Sequence, residues 1–232
     1  ASGESEKTVP APKPLPITRA GYSRALPLRW VLATPPKAVP GRTAPQTEGQ
    51  AAGAELGAGV TVEAYAVIGP SVRLGPGCWI GPHAVVDGHT TLGARNRVFQ
   101  FASVGAQAQG LKYPGEASTL VVGDDNIVRE FVSINPGTAA GGMVTRVGNG
   151  CLFMVSSHVA HDCEVGDHVI LANGVALGGH VQVDDYGIVG GLAGVHQYVR
   201  IGESALCAAG AMVWMDVPPF CTAAADRARL HA

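Results

Sequence analysis

Charges, aromatic residues and closely spaced cysteines are all scarce in this chain of 232 residues. Charged residues make up 15% of the sequence and the formal net charge is −2, so the basic surface expected of a nucleic-acid-binding protein is missing. No apolar run approaches the roughly 18 residues that a membrane-spanning helix requires. These shortages argue against a nucleic-acid partner and against a transmembrane segment.

One periodicity dominates what is present: an apolar residue recurs at every sixth position. The first series runs from Leu56 to Val104, a second in the same phase from Val122 to Ile134, and a third from Val147 to Val213. A period of six fits neither a helix face nor a plain strand, and it is the signature of hexapeptide β-helix repeats. Three hexads make one triangular coil of about 18 residues. The sequence therefore predicts an all-β fold, a parallel β-helix prism over residues 54–217.

The repeat divides the chain into three regions. Residues 1–51 lack it and form a Pro- and Ala-rich extension, residues 52–219 carry it, and residues 220–232 follow the strand-stopping Pro218 and Pro219. We expect the last region to be the stub of a helical C-terminal region, with a helical turn or two.

The N-terminal extension begins with Ala rather than Met and contains no repeat. We interpret it as the remnant of an organellar targeting segment, mitochondrial in preference to plastid, with a bacterial-type cytoplasmic location as the alternative. A further possibility is that residues 1–50 lie along the prism, along a sister subunit or along another protein in a larger assembly.

Two segments interrupt the register, residues 106–121 and residues 135–146. The register returns after each of them, so both are predicted to be external loops of the prism. Loops that leave a solenoid often carry function.

The five cysteines show no C-x-x-C spacing. Cys78, Cys163 and Cys207 fall on repeat positions that face inward. We predict that they are reduced core thiols.

Three histidines are brought together by the register. Val159, Leu177 and Val195 are eighteen residues apart and should stack on one edge of successive coils, about 4.8 Å from coil to coil. A histidine follows each of them within three residues: His161, His180 and His196. The three imidazoles are therefore predicted to lie near one corner of the prism.

His158 belongs to the same neighbourhood, and the loop of residues 135–146 leaves the same edge one coil away. Two chemistries fit such a cluster. One is a neutral histidine acting as a general base near pH 7, with Asp162 orienting the ring of His161. The other is a zinc site made of imidazoles.

Seven short stretches carry a resemblance to a known family. They are Gln100-Phe-Ala-Ser-Val-Gly105, Leu111-Lys-Tyr-Pro-Gly-Glu116, His158-Val-Ala-His-Asp-Cys163, Leu171-Ala-Asn173, Gly179-His180, Val195-His-Gln-Tyr198 and Asp216-Val-Pro-Pro219. With these stretches, roughly residues 54–230 resemble the UDP-N-acetylglucosamine O-acyltransferases of lipid A biosynthesis. The resemblance implies that the prism is a left-handed parallel β-helix and that it forms a homotrimer.

The resemblance also implies a catalytic set. His161 would be the general base that takes the proton of the sugar 3-hydroxyl, and Asp162 would hold His161. The backbone N–H of Gly179 would stabilise the oxyanion formed when this hydroxyl attacks a 3-hydroxyacyl thioester on acyl carrier protein. No metal and no cofactor are implied.

A second set of residues would bind UDP-N-acetylglucosamine or the acyl chain. It consists of Gln109, Lys112, His158, His180, His196, Gln197 and Ala209, with Lys112 reaching from a neighbouring subunit. Three departures from the family pattern stand out. Gly110 replaces an acidic residue, Ala209 replaces a glycine that helps set acyl length, and the chain ends at Ala232, where a helical domain would begin.

The sequence thus favours a trimeric acyltransferase of this family. Two alternatives remain open at this point. One is a non-catalytic β-helix subunit of a larger organellar assembly, and the other is a zinc protein resembling the γ-class carbonic anhydrases.

Overall fold

The structure is a computed structural model, and it describes residues 53–111, 113–224 and 229–231. The predicted N-terminal extension and the predicted site residue Lys112 lie outside the described residues.

The described residues form three parallel sheets, one on each side of a triangular prism. Sheet 1 contains β1 (Glu55–Leu56), β4 (Arg73–Leu74), β7 (His89–Leu92), β10 (Thr119–Val122), β13 (Val144–Val147), β16 (Glu164–Val165), β19 (Gln182–Val183) and β22 (Arg200–Ile201). Sheet 2 contains β2 (Thr61–Val62), β5 (Trp79–Ile80), β8 (Arg97–Val98), β11 (Ile127–Val128), β14 (Leu152–Phe153), β17 (Ile170–Leu171), β20 (Ile188–Val189), β23 (Leu206–Cys207), β25 (Thr222–Ala224) and β26 (Arg229–His231). Sheet 3 contains β3 (Val67–Ile68), β6 (Val85–Val86), β9 (Ser103–Val104), β12 (Ser133–Ile134), β15 (His158–Val159), β18 (Ala176–Leu177), β21 (Gly194–Val195) and β24 (Met212–Val213).

Each strand pairs in parallel with the strand three places along the chain, so one turn through the three sheets makes one coil. The register matches the period: Leu56 pairs with Leu74, and Val159 pairs with Leu177. The second residue of the short strands points inward, and this ladder is buried from Ile68 to Val213. The predicted left-handed parallel β-helix is therefore confirmed.

The three cysteines predicted to be core thiols point inward, as the register requires. Cys78, Cys163 and Cys207 are buried and unpaired, and Cys151, which the sequence analysis did not place, is buried as well.

The two predicted loops are shorter than expected. The first ends where β10 begins at Thr119, and the second ends where β13 begins at Val144. In both cases the strand after the loop is four residues long, because the chain joins sheet 1 before the inward register resumes.

The expected helical turn near the C-terminus is wrong for the described residues. Thr222–Ala224 extends sheet 2 by pairing with β23, and Arg229–His231 returns antiparallel to it. The open edge of the sheet satisfies the backbone hydrogen bonds of this segment, which a helix would otherwise have to satisfy internally. No helix that could span a membrane occurs in residues 53–111, 113–224 and 229–231.

The outward positions differ from side to side. Sheet 1 is largely polar there, with Arg146, Glu164, Gln182 and Arg200 on successive coils. From β11 to β23, sheet 2 is apolar there, with Ile127, Leu152, Ile170, Ile188 and Leu206. From β12 to β24, the outward positions of sheet 3 are mixed, with Ser133, His158, Ala176, Gly194 and Met212.

Candidate active site

The candidate site lies at the corner where the chain passes from sheet 3 to sheet 1, called here the site corner. His161 and Asp162 occupy this corner after β15, Gly179 and His180 occupy it one coil on, and Tyr198 a further coil on. Because successive coils are about 4.8 Å apart, residues distant in the sequence become neighbours. The predicted proximity of His161 and His180 is observed, and His196 contributes to the same cavity as His161.

His161 and Asp162 form a hydrogen-bonded pair. Nδ1 of His161 lies 2.7 Å from Oδ2 of Asp162, whose side chain is fully buried. The loop between β12 and β13 satisfies the same carboxylate: the Thr138 N–H donates to Oδ1 at 2.8 Å, and the Thr138 hydroxyl donates to Oδ2 at 2.6 Å. A buried carboxylate is costly unless it is hydrogen-bonded, and these contacts supply the donors.

Gly179 lies directly against the ring of His161. A Cβ atom at position 179 would come within 2.5 Å of Cε1 and 2.7 Å of Nε2, so only glycine fits beneath the ring. Among the residues that the structure describes, the Gly179 N–H donates to no protein acceptor. It is therefore an available donor beside the ring of His161.

His180 supports the pair from the next coil. Its ring meets that of His161 edge to face at 5.2 Å, and its Nε2 lies 3.9 Å from Oδ2 of Asp162. Its other neighbour is Tyr198, stacked on it with ring centroids 4.3 Å apart. His180 thus packs behind the pair and does not line the adjoining cavity.

His158 is half-buried at the first position of β15. Its Nδ1 lies 2.7 Å from the Ser133 hydroxyl across the β12–β15 pair. Burial lowers the pKa of His158, and His161 nearby acts in the same direction, while the hydrogen bond to Ser133 opposes it. The ring is consequently neutral near pH 7.

A cavity of about 520 Å³ opens beside these groups. Six predicted site residues line it, namely Gln109, His158, His161, Gly179, His196 and Gln197. Asp162 lies just behind the lining, held against His161. Ala209 does not line the cavity, because it lies exposed at the corner between sheets 2 and 3.

One wall of the cavity was not anticipated. Trp214 stacks on His196 with ring centroids 4.7 Å apart and keeps 61% of its surface exposed. Met212 packs beside it over Gly194, where a Cβ would come within 3.1 Å of the Met212 methyl group. This wall is apolar and lies on the coils beyond His161.

Sequence reasoning also missed Thr138 and Ser133. Ser133 could have been found, since the interruption at residues 135–146 lengthens its coil from eighteen to 25 residues and so pairs Ser133 with His158, as observed. Thr138 lies inside the insertion itself, where the six-residue period gives no position.

Donor atoms of His161, Asp162 and His180 lie within 4.8 Å of one another, which raises the question of a metal. However, Nδ1 of His161 and Oδ2 of Asp162 are only 2.7 Å apart, closer than the roughly 3.3 Å that separates two ligands of tetrahedral zinc. Asp162 is also engaged by Thr138. The group fits a hydrogen-bonded base better than a zinc site.

Comparisons with known proteins agree with this geometry. The family described as "Bacterial transferase hexapeptide (six repeats)" matches residues 53–88 and 145–179. The acyl-[acyl-carrier-protein]–UDP-N-acetylglucosamine O-acyltransferase of Myxococcus xanthus is 57% identical over 143 residues, 62% of this chain and 55% of that protein. The enzyme of the same name from Herminiimonas arsenicoxydans is 51% identical over 175 residues, 75% of this chain and 67% of that protein.

A solved structure of a UDP-N-acetylglucosamine acyltransferase superposes with a TM-score of 0.79 at 43% identity, covering 80% of this chain and 72% of that one. The chain spans little more than half the length of the Myxococcus protein. The prism, the His161–Asp162 pair and this similarity agree with one another. The chain belongs to the UDP-N-acetylglucosamine O-acyltransferase family.

Proposed function

We propose that this protein transfers a 3-hydroxyacyl chain from acyl carrier protein to the 3-hydroxyl of UDP-N-acetylglucosamine, with His161 as the general base. The observation that supports this most directly is the Asp162–His161 pair with the Gly179 N–H beside it, at the edge of a cavity. Both relatives described above are named for acyl transfer from acyl carrier protein to UDP-N-acetylglucosamine.

The chemistry follows from the two ring nitrogens of His161. With Nδ1–H donating to Asp162, Nε2 has a free lone pair and takes the proton of the sugar hydroxyl. The hydroxyl oxygen attacks the thioester carbonyl, and the negative charge that develops on the carbonyl oxygen is stabilised by the Gly179 N–H. Collapse of this intermediate breaks the C–S bond, and the departing sulfur takes the proton from His161.

The cavity offers different surfaces to the two substrates. Polar groups of Gln109, His158 and Gln197 would bind the sugar nucleotide, and the wall of Met212 and Trp214 suits an alkyl chain, since it offers few hydrogen-bonding groups. Roles for Lys112 and Ala209 stay predictions.

A homotrimer is part of the proposal. The apolar outward ladder of sheet 2 includes Ile188 and Leu206, exposed to 39% and 40% in the single chain, and a packed subunit would cover such a surface. An organellar location and a larger assembly through residues 1–50 stay predictions.

The test is carrier-protein-dependent acylation of UDP-N-acetylglucosamine, followed by mass spectrometry of the product. His161→Ala should lower the rate by about 10²–10⁴-fold, the usual contribution of a positioned base. Asp162→Asn should lower the rate less than His161→Ala does, because it disturbs the orientation of the base without removing it. His180→Ala should act through the position of the His161 ring rather than through KM, because His180 packs against that ring and does not line the cavity.

His168→Ala is the matched control, since His168 stacks on Tyr186 at another corner of the prism and does not line the cavity. Folded wild-type protein that transfers no acyl chain would overturn the proposal. The reading as a non-catalytic β-helix subunit would then replace it.

A further inference from the structure

We propose that Thr138, on the loop between β12 and β13, is a positioning residue that fixes the carboxylate of Asp162 and thereby the protonation pattern of His161. This inference rests on the proposed function for its kinetic consequences, but its structural content can be tested separately.

The contacts of Thr138 converge on one carboxylate. Its backbone N–H donates to Oδ1 of Asp162 at 2.8 Å, and its hydroxyl donates to Oδ2 at 2.6 Å. Both oxygens are thus engaged by a single residue, and two hydrogen bonds to two oxygens fix the plane of the carboxylate. The remaining bond of Oδ2 is the one to Nδ1 of His161, at 2.7 Å.

The loop is held closed around this contact. The Thr138 carbonyl accepts the N–H groups of Gly141 and Met143, at 3.0 and 2.9 Å. Gly141 packs against the carboxylate of Asp162 so closely that a Cβ there would collide with it. The Ala139 N–H donates to Oε1 of Glu116 at 2.7 Å, which ties this loop to the one between β9 and β10.

The other side of Asp162 is fixed as well. Its backbone N–H donates to the Thr145 hydroxyl at 2.8 Å, inside the prism. Asp162 itself has φ near 60°, a left-handed conformation that aspartate tolerates better than most residues. The backbone is therefore anchored from within, while the carboxylate is oriented from outside by Thr138.

The Thr138 hydroxyl matters because the carboxylate of Asp162 has only acceptor atoms and needs donors to fix its orientation. While Thr138 supplies the donors to one side of the carboxylate, Oδ2 is aimed at Nδ1 of His161, and the ring proton is held on Nδ1. Nε2 then remains unprotonated and faces the substrate. Without the hydroxyl, the carboxylate can rotate, and the ring can place its proton on Nε2, where it blocks the function of the base.

Three variants of the full chain test this. Thr138→Val keeps the size and the backbone N–H but removes the hydroxyl, and Thr138→Ser keeps the hydroxyl. Thr119→Val is the matched control, because the hydroxyl of the half-buried Thr119 donates to the Met143 carbonyl, at 3.2 Å, and not to Asp162. We expect Thr138→Val to lower kcat by about 10- to 100-fold, as for other groups that orient a functional histidine, with little change in KM. Thr138→Ser and Thr119→Val should remain close to wild type.

The second measurement does not need activity. The imidazole ¹⁵N chemical shifts of His161, assigned by comparison with His161→Gln, report which ring nitrogen carries the proton. Wild type should show protonated Nδ1 and unprotonated Nε2, and Thr138→Val should show a mixture. If Thr138→Val does not fold, Thr138→Ala, which cannot introduce a clash, takes its place.

Three outcomes would overturn the inference. The first is Thr138→Val with wild-type kcat, the second is Thr138→Ser as impaired as Thr138→Val, and the third is an unchanged His161 spectrum in folded Thr138→Val. Wild-type protein without acyl transfer but with the expected change in the His161 spectrum would refute the proposed function and support this inference.

Discussion

The imidazole of His161 rests on the backbone of Gly179 so closely that a Cβ at position 179 would lie 2.5 Å from its Cε1. The base and the candidate oxyanion donor are therefore packed against each other, so that a displacement of one should displace the other. The contact joins successive coils, since the His180 N–H donates to the His161 carbonyl at 3.0 Å.

Gly179→Ala should consequently displace the His161 ring and lower kcat by at least about tenfold, with the fold retained, since the clash is with a half-exposed side chain. Gly191→Ala is the control, because the nearest atom to a Cβ there is the Asn173 carbonyl oxygen at 3.4 Å, an ordinary contact. Steady-state kinetics would give kcat for both variants, and thermal melts would show whether both keep the fold. Equal rates for the two variants would contradict the predicted clash.

His158 should make the stability of the protein depend on pH. Burial holds its folded-state pKa below the ordinary value of 6.5, so the unfolded chain takes up a proton at a pH where the folded chain does not. The effect is absent above the ordinary pKa and grows as the pH falls through it, until the pH reaches the lowered folded-state pKa. Thermal melts between pH 7.5 and 5 should show a smaller loss of Tm in His158→Gln than in wild type. Parallel curves would disprove this contribution.

The buried thiols should be unreactive in the folded protein. Burial raises the pKa of Cys151 and of Cys163 to about 12 and that of Cys207 to about 11, so almost no thiolate is present at pH 8. Burial raises the pKa of Cys78 too, whereas Cys221 is only half-buried. Alkylation followed by peptide mass spectrometry should label Cys221 first and the other four only in denaturant. Rapid labelling of Cys163 in native protein would be inconsistent with the packing.

Metal analysis should find no stoichiometric zinc in the purified protein. The short contact between Nδ1 of His161 and Oδ2 of Asp162, together with the Thr138 donors, would have to break before zinc could bind these two atoms together. Elemental analysis before and after chelation is the measurement, with activity followed in parallel. One zinc per chain, removed by the chelator with loss of activity, would favour the reading that resembles the γ-class carbonic anhydrases.

The parts of the fold that repeat could be predicted from the sequence, because a parallel coil places every eighteenth residue in register. This is why the pairing of Val159 with Leu177 and the proximity of His161 to His180 follow from the sequence alone. The relation fails inside the insertions, and Thr138 was missed for that reason.

Side-chain direction is the other limit. The register placed His161 and His180 at one corner, but it did not indicate that His161 would face the cavity while His180 packs behind it against Tyr198. Trp214 was missed because an exposed apolar residue just after a strand shows no special role in the sequence, before the cavity is known. At the C-terminus, pairing with β23 outweighed a local preference for helix.

The cavity is distributed over a stack of coils, with His161, Gly179, Gln197 and Trp214 each contributed by a different one. In such a stack each coil is held chiefly by its neighbours, so the ends can fray while the middle persists. Trp214 lies three coils along the prism from His161. Local opening of the coil that carries Trp214 should therefore remove the apolar wall from the cavity without disturbing the base. Under the proposed function, the protein in that state would keep its base but bind the alkyl chain less tightly, so that substrate selectivity is lost while the fold around the base persists.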